Sequence, residues 1–134
     1  MAAVHEEFLV EADPDRVWAA VRDVGAAVRL FPGVLTGSSA TDDGRVVTFA
    51  GGAIVREAVV DLDDDRRRLA YTSVEGPLGA AHHHATMQVF PDEKGRSRVV
   101  WVTDVLPDEL AQPVAALMRS GAEAMAGVFR TPPV

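Results

Sequence analysis

The sequence contains no cysteine. Disulfide staples, thiolate metal sites and thiol nucleophiles are excluded together, and the chain suits a reducing compartment. It also lacks any apolar run near the ~20 residues that a membrane-spanning helix needs. The opening residues Met1-Ala2-Ala3-Val4-His5-Glu6-Glu7 carry neither a basic n-region nor a long apolar h-region. No secretory leader is therefore expected, and the cytoplasm is the expected location. Positive charge is scarce: 13 Lys and Arg face 20 Asp and Glu, for a net charge of -7. Nucleic acid is not expected as a partner, because phosphate contacts need clustered cations. The basic run Arg66-Arg67-Arg68 follows Asp61, Asp63, Asp64 and Asp65, which fits a charged turn better than a binding patch. A phosphate-cradling glycine loop, a nucleophile elbow and an HExxH helix are all missing.

What is present reads as strands around one long helix. The 134 residues fit one domain, spanning 1–134, with a core that needs no disulfide. From Leu106 to Phe129, the residues Leu110, Val114, Leu117, Met118, Gly121, Met125, Val128 and Phe129 recur at helical spacing. Gln112, Arg119, Glu123 and Arg130 keep the same rhythm on the opposite face. Such a helix needs a concave partner.

The rest of the chain supplies one. Val4–Ala12 predicts a first strand. Asp13-Pro14-Asp15 is a helix start, with Asp13 as cap and Pro14 in the first turn. That helix turns Val17, Trp18, Val21 and Val24 inward, and a second short helix runs to about Leu30. Strands are predicted over 34–40, 45–50, 53–62, 69–75, 82–90 and 98–106. The turns are Asp42-Asp43-Gly44, Gly51-Gly52, Asp63-Asp64-Asp65, Gly76-Pro77-Leu78-Gly79 and Lys94-Gly95. Thr131-Pro132-Pro133-Val134 is expected to fray. The result is an α+β arrangement: a curved seven-stranded antiparallel sheet around a long C-terminal helix, with two short helices after the first strand.

Four stretches carry a resemblance: Asp13-Pro14-Asp15-Arg16-Val17-Trp18, Arg56-Glu57 leading to Asp61-Leu62-Asp63, Leu69-Ala70-Tyr71-Thr72 before Gly76, and Trp101 to Pro107. With the element order, they resemble the START-like, or Bet v 1-like, helix-grip superfamily. It includes polyketide cyclases, aromatases and the plant abscisic-acid receptors. The resemblance implies a helix-grip fold with a cavity between sheet and helix. It places Glu57 with a pocket-lining glutamate of the receptors and Tyr71 with a pocket aromatic. The receptors' Ser-Gly-Leu-Pro-Ala gate loop has no counterpart, since the matching turn is Gly51-Gly52. Hormone-receptor signalling is therefore not implied.

Parity decides which side chains reach such a cavity. Glu57 shares a face with Val55 and Val59, and Arg56 points away. On the next-to-last strand His83, Ala85, Met87 and Val89 form the more apolar set. A two-residue Lys94-Gly95 loop sets Met87 against Val102 and Ala85 against Asp104, with Asp104 diagonal to His83. A three-residue loop turns Trp101 and Thr103 inward instead. On the helix, Leu117, Met118, Gly121 and Met125 form the facing wall, and Gly121→Leu is expected to fill space there.

Each candidate has a plainer alternative. His83 could satisfy a backbone carbonyl, Asp104 could cap backbone amides, and Met118, Met125, Trp18 and Trp101 could simply be core. His82 and His84 share a strand face but lack further ligands for a metal, and neither metal nor cofactor is expected.

Three functions remain. The first is binding of a small, mostly apolar ligand, lipids included, with its polar end near Glu57, His83 and Asp104. The second is cyclase- or dehydratase-like proton transfer, with His83 as general base oriented by Asp104. The third is a partner-binding domain with a filled cavity. A homodimer is compatible with all three.

Overall fold

Asp13 caps the first helix as its position predicts. Its side chain accepts a hydrogen bond from the Arg16 backbone N–H at 3.0 Å, and Pro14 opens α1 (Pro14–Arg22). The computed structural model describes residues 1–130, so the tail expected to fray, Thr131–Val134, lies outside the described residues. β1 (Ala2–Val10) precedes α1, and a 3-10 turn at Val24–Ala26 leads into α2 (Ala27–Leu30). There follow β2 (Leu35–Ala40), β3 (Gly44–Phe49), β4 (Ile54–Asp63), β5 (Arg68–Glu75), β6 (His82–Pro91) and β7 (Ser97–Leu106). A 3-10 turn at Asp108–Leu110 introduces α3 (Ala111–Arg130). Among the described residues the strands form one antiparallel sheet, in the order β1-β7-β6-β5-β4-β3-β2.

Most element boundaries lie within a residue or two of expectation. The long helix starts later than its periodicity suggests, because Leu106 is still in β7 and Pro107 keeps an extended backbone. The run Arg66-Arg67-Arg68 is spent in its turn. Arg66 pairs with Asp63 at 2.9 Å, Arg67 with Asp15 at 2.8 Å and Arg68 with Asp61 at 4.0 Å. Asp64 takes Arg22 and the Trp18 indole N–H, which ties α1 to the same corner. Each arginine of the run thus has a carboxylate partner at that corner.

The β6–β7 hairpin departs from the two-residue expectation. Its closing pair is Pro91 with Ser97, so five residues from Asp92 to Arg96 make the loop. Lys94 and Gly95 both have positive φ within it, at 60° and 73°. An odd loop length reverses the facing of β7. Met87 lies opposite Trp101 and Ala85 opposite Thr103. Ser97, Val99, Trp101, Thr103 and Val105 are buried in strict alternation. Val102 and Asp104 therefore point to the convex face, which corrects their expected place in the pocket. Asp104 stands opposite His84 on one side and Ala3 on the other.

Buried side chains pack between the sheet and the C-terminal half of α3. Met125 is fully buried there, as are Val10, Val89 and Val99 at the same end of the sheet. Leu69, Ala85 and Met87 are buried on the same concave face. Beside the N-terminal half of α3 the sheet and helix stand apart, and a cavity opens.

Candidate functional site

The polar end of this cavity begins with the β3–β4 hairpin. A two-residue Gly51-Gly52 loop would set Arg45 against Ala58. Instead the Phe49 N–H bonds the Ala53 carbonyl and the Gly52 N–H bonds the Phe49 carbonyl, each at 2.8 Å. This longer loop sets Arg45 directly against Glu57 on the concave face. Arg45 Nε donates to Glu57 Oε1 at 2.7 Å, with the two side chains only 9% and 13% exposed. Arg45 Nη1 also donates to the Val24 carbonyl at 3.4 Å, and the guanidinium lies 5.0 Å above the Tyr71 ring. The cation is thus held on three sides.

Tyr71 comes from β5 and meets β7 through its hydroxyl, which accepts the Trp101 indole N–H at 3.0 Å. Burial first, and the Glu57 charge second, hold the Tyr71 phenol well above its ordinary range. It is therefore a neutral donor. Trp101 stacks on Phe31 with ring centroids 5.6 Å apart, a preferred aromatic geometry.

His83 is positioned where the β5–β6 ladder ends. The last ladder pair is Tyr71 with Ala85. Beyond it, the Ser73 N–H turns to the His83 side chain and donates to Nδ1 at 2.9 Å, while the Thr72 hydroxyl donates to the His83 carbonyl. An Nδ1 that accepts leaves the proton on Nε2. The imidazole is then a neutral hydrogen-bond donor, and its basic lone pair is already used. Burial lowers the His83 pKa and the nearby His84 and His82 add to the effect, while the Glu57 charge opposes it.

That direction has a measurable consequence. The unfolded chain takes up a proton at His83 near the ordinary ~6.5, and the folded protein does so only at lower pH. Stability should fall as the pH drops below ~6.5 and level off once the folded-state pKa is passed. A histidine NMR titration should give His83 a midpoint below 6.5. A midpoint at or above that value would show that burial does not dominate.

The cavity has a volume of about 480 Å³. Of the chain's five Phe, two Trp and one Tyr, four residues (Phe31, Phe49, Tyr71 and Trp101) line it. Glu57, His83, Leu117, Met118 and Gly121 also line it, as expected from parity and helical spacing. Leu117 is 42% exposed and stands with Pro77 and Leu78 at the mouth. Ala85, Met87 and Met125 face inward but belong to the solid core rather than to the cavity wall. With Asp104 on the convex face, the expected His83–Asp104 pair does not form.

Gly121 also needs correction. A Cβ there would come within 2.9 Å of the Trp101 ring. The glycine therefore permits close approach of helix to indole, and the place of its missing side chain is taken by Trp101. Gly121→Leu overpacks, at a cost of ~1–3 kcal/mol.

Arg45, Ser73 and Phe31 line the cavity without having been singled out as ligand contacts, and Thr103 lines it as the alternative register had it. For Arg45 the signal was available: it alternates with Val47 and Phe49, the same pattern that marked Glu57. Among the described residues no cluster of three or more His, Asp or Glu side chains could hold a metal. No helix among them is long and apolar enough to cross a membrane.

Sequence comparison matches residues 1–130 to the family described as polyketide cyclase / dehydrase and lipid transport. The chain belongs to that family. Solved structures place this family member in the helix-grip fold. A protein named XoxI from Bacillus cereus has 20% identity and a TM-score of 0.89, with 97% of this chain and 96% of that one covered. The Zhui aromatase/cyclase from Streptomyces sp. R1128 has 21% identity and a TM-score of 0.77, over 96% and 90% of the two chains. Norcoclaurine synthase from Thalictrum flavum, in complex with dopamine and hydroxybenzaldehyde, has 21% identity and a TM-score of 0.73, over 99% and 89%. At these identities the likeness establishes the fold. No curated protein matches this family member.

Proposed function

We propose that the protein binds a small, mostly apolar, ring-containing molecule, with its body against the aromatic wall and its polar end at Glu57, Tyr71 and His83. The observation that carries this reading is the cavity of about 480 Å³, with four aromatic side chains in its wall and polar groups gathered at one end. Ligand sites have this size and this mix of apolar wall with a few placed polar groups. The family description, which covers both cyclases and lipid transport, is compatible with it. So are the aromatic compounds named with the norcoclaurine synthase structure. The partner-binding alternative needs a filled interior, and this space is not filled.

The enzymatic alternative, a cyclase or dehydratase with His83 as base, has weaker support. His83 Nδ1 already accepts the Ser73 N–H, and Asp104 stands opposite His84 on the other face. A general base needs a free lone pair within reach of the proton it takes. In this cavity that description fits Glu57 better.

Native mass spectrometry of the protein purified from its own host should show a noncovalent adduct that denaturation releases. The uncharged dye N-phenyl-1-naphthylamine should bind and be displaced by the released compound. A protein that carries no adduct and takes up no dye would end the ligand reading.

A further inference from the structure

The charged groups at the cavity's polar end cancel each other. Arg45 Nε spends its charge on Glu57 Oε1 at 2.7 Å, inside a site where both side chains are almost wholly covered. The Val24 carbonyl and the Tyr71 ring hold the same guanidinium from other sides. The second oxygen of Glu57, Oε2, has no protein partner among the described residues. Tyr71 uses its oxygen to accept from Trp101, and its own proton has no acceptor among them. His83 presents Nε2–H, because Nδ1 is taken by Ser73. From these three side chains one acceptor and two donors face the cavity, the Arg45 and Glu57 charges balance, and the Ser73 and Thr103 side chains that also line it are uncharged.

An uncharged hydroxyl satisfies this set, since it can donate to Glu57 while it accepts from Tyr71 or His83. A carboxylate is acceptor-only. It would bring a second anion beside Glu57 and lose its hydration, while the cation in the cavity wall, Arg45, is already neutralised by Glu57. An ammonium is donor-only and would meet two donors and the Arg45 charge. We propose that the Arg45–Glu57 pair sets the charge selectivity of the cavity: it takes an uncharged hydroxyl-bearing ring compound and rejects the carboxylate of the same shape. Arg45 is then a latent carboxylate site that Glu57 masks. This rests on the ligand-binding reading above.

Three probes with one body separate the cases: 2-naphthol, 2-naphthoate and 2-naphthylmethylammonium, compared by calorimetry at pH 7. The naphthol should bind at least tenfold more tightly than either ion. A carboxyl of ordinary pKa is protonated to only about 10⁻³ at pH 7, so binding of the rare neutral acid caps the discrimination near ~10³-fold. In Glu57→Gln, which keeps the side-chain shape, naphthoate should gain at least tenfold relative to naphthol. A Glu57→Gln protein that binds naphthoate no better relative to naphthol would overturn the masking. If that variant does not fold, the wild-type ratio decides. Naphthoate binding as tightly as naphthol to the wild type would overturn the charge selectivity and leave the cavity reading intact. Failure of all three probes while N-phenyl-1-naphthylamine still binds also overturns only this inference. Loss of dye uptake as well would remove both.

Discussion

Arg45→Met is expected to destabilise the protein by about 3–5 kcal/mol, the usual cost of stranding one member of a buried ion pair. Both partners are well covered, at 9% and 13% side-chain exposure, so solvent gives the stranded Glu57 little relief. The same change removes the cation from the Tyr71 face and the donor from the Val24 carbonyl. The double variant Arg45→Met/Glu57→Met should recover most or all of the loss, because an apolar pair of similar volume carries no desolvation cost. Urea denaturation with an unchanged m-value measures both. A single-variant loss below about 1 kcal/mol would mean that water reaches the pair, and the charge argument for the cavity would fail with it.

Trp101→Ala is expected to cost about 3–5 kcal/mol, and Val102→Ala about 1 kcal/mol or less. Trp101 is 8% exposed, stacks on Phe31, donates to Tyr71 and fills the space left by Gly121. Val102 lies on the opposite face of the same strand and is half-buried. Adjacent residues make the comparison sharp, since a shift of one residue in pairing exchanges their faces. Equal losses in thermal or urea unfolding, or a larger loss for Val102→Ala, would show that the other hairpin register is populated. Trp101→Ala should also enlarge the cavity, so binding of a bulkier ring compound should improve relative to naphthol.

The elements were legible in the chain because their signals are local. Asp13-Pro14 starts a helix through one cap and one fixed φ, whatever packs against it later. The spacing from Leu110 to Phe129 marks an apolar face through helical geometry alone. Alternation in β4 put Glu57 on the same face as Val55, and it lines the cavity with Val55. Even the charged turn at Arg66-Arg67-Arg68 followed from carboxylates a few residues away.

The site depended on quantities that no short stretch contains. Whether the β6–β7 loop has two residues or five is decided by the summed packing of both strands against α3 and β1. The outcome exchanged Val102 and Asp104 for Trp101 and Thr103 in the interior. The β3–β4 loop likewise made Glu57, rather than Ala58, the partner of Arg45. Gly121 shows the same dependence in three dimensions: a missing side chain signals a void or a close approach, and only the position of Trp101 tells which. The chain by itself determined the strands, the helices and the inward parity of Glu57, because dihedral preference and periodicity act over a few residues. The tertiary structure alone decided the hairpin registers, the cancelled charge pair and the hollow half of the interior, because those follow from long-range pairing, where one residue of slip turns a whole strand over.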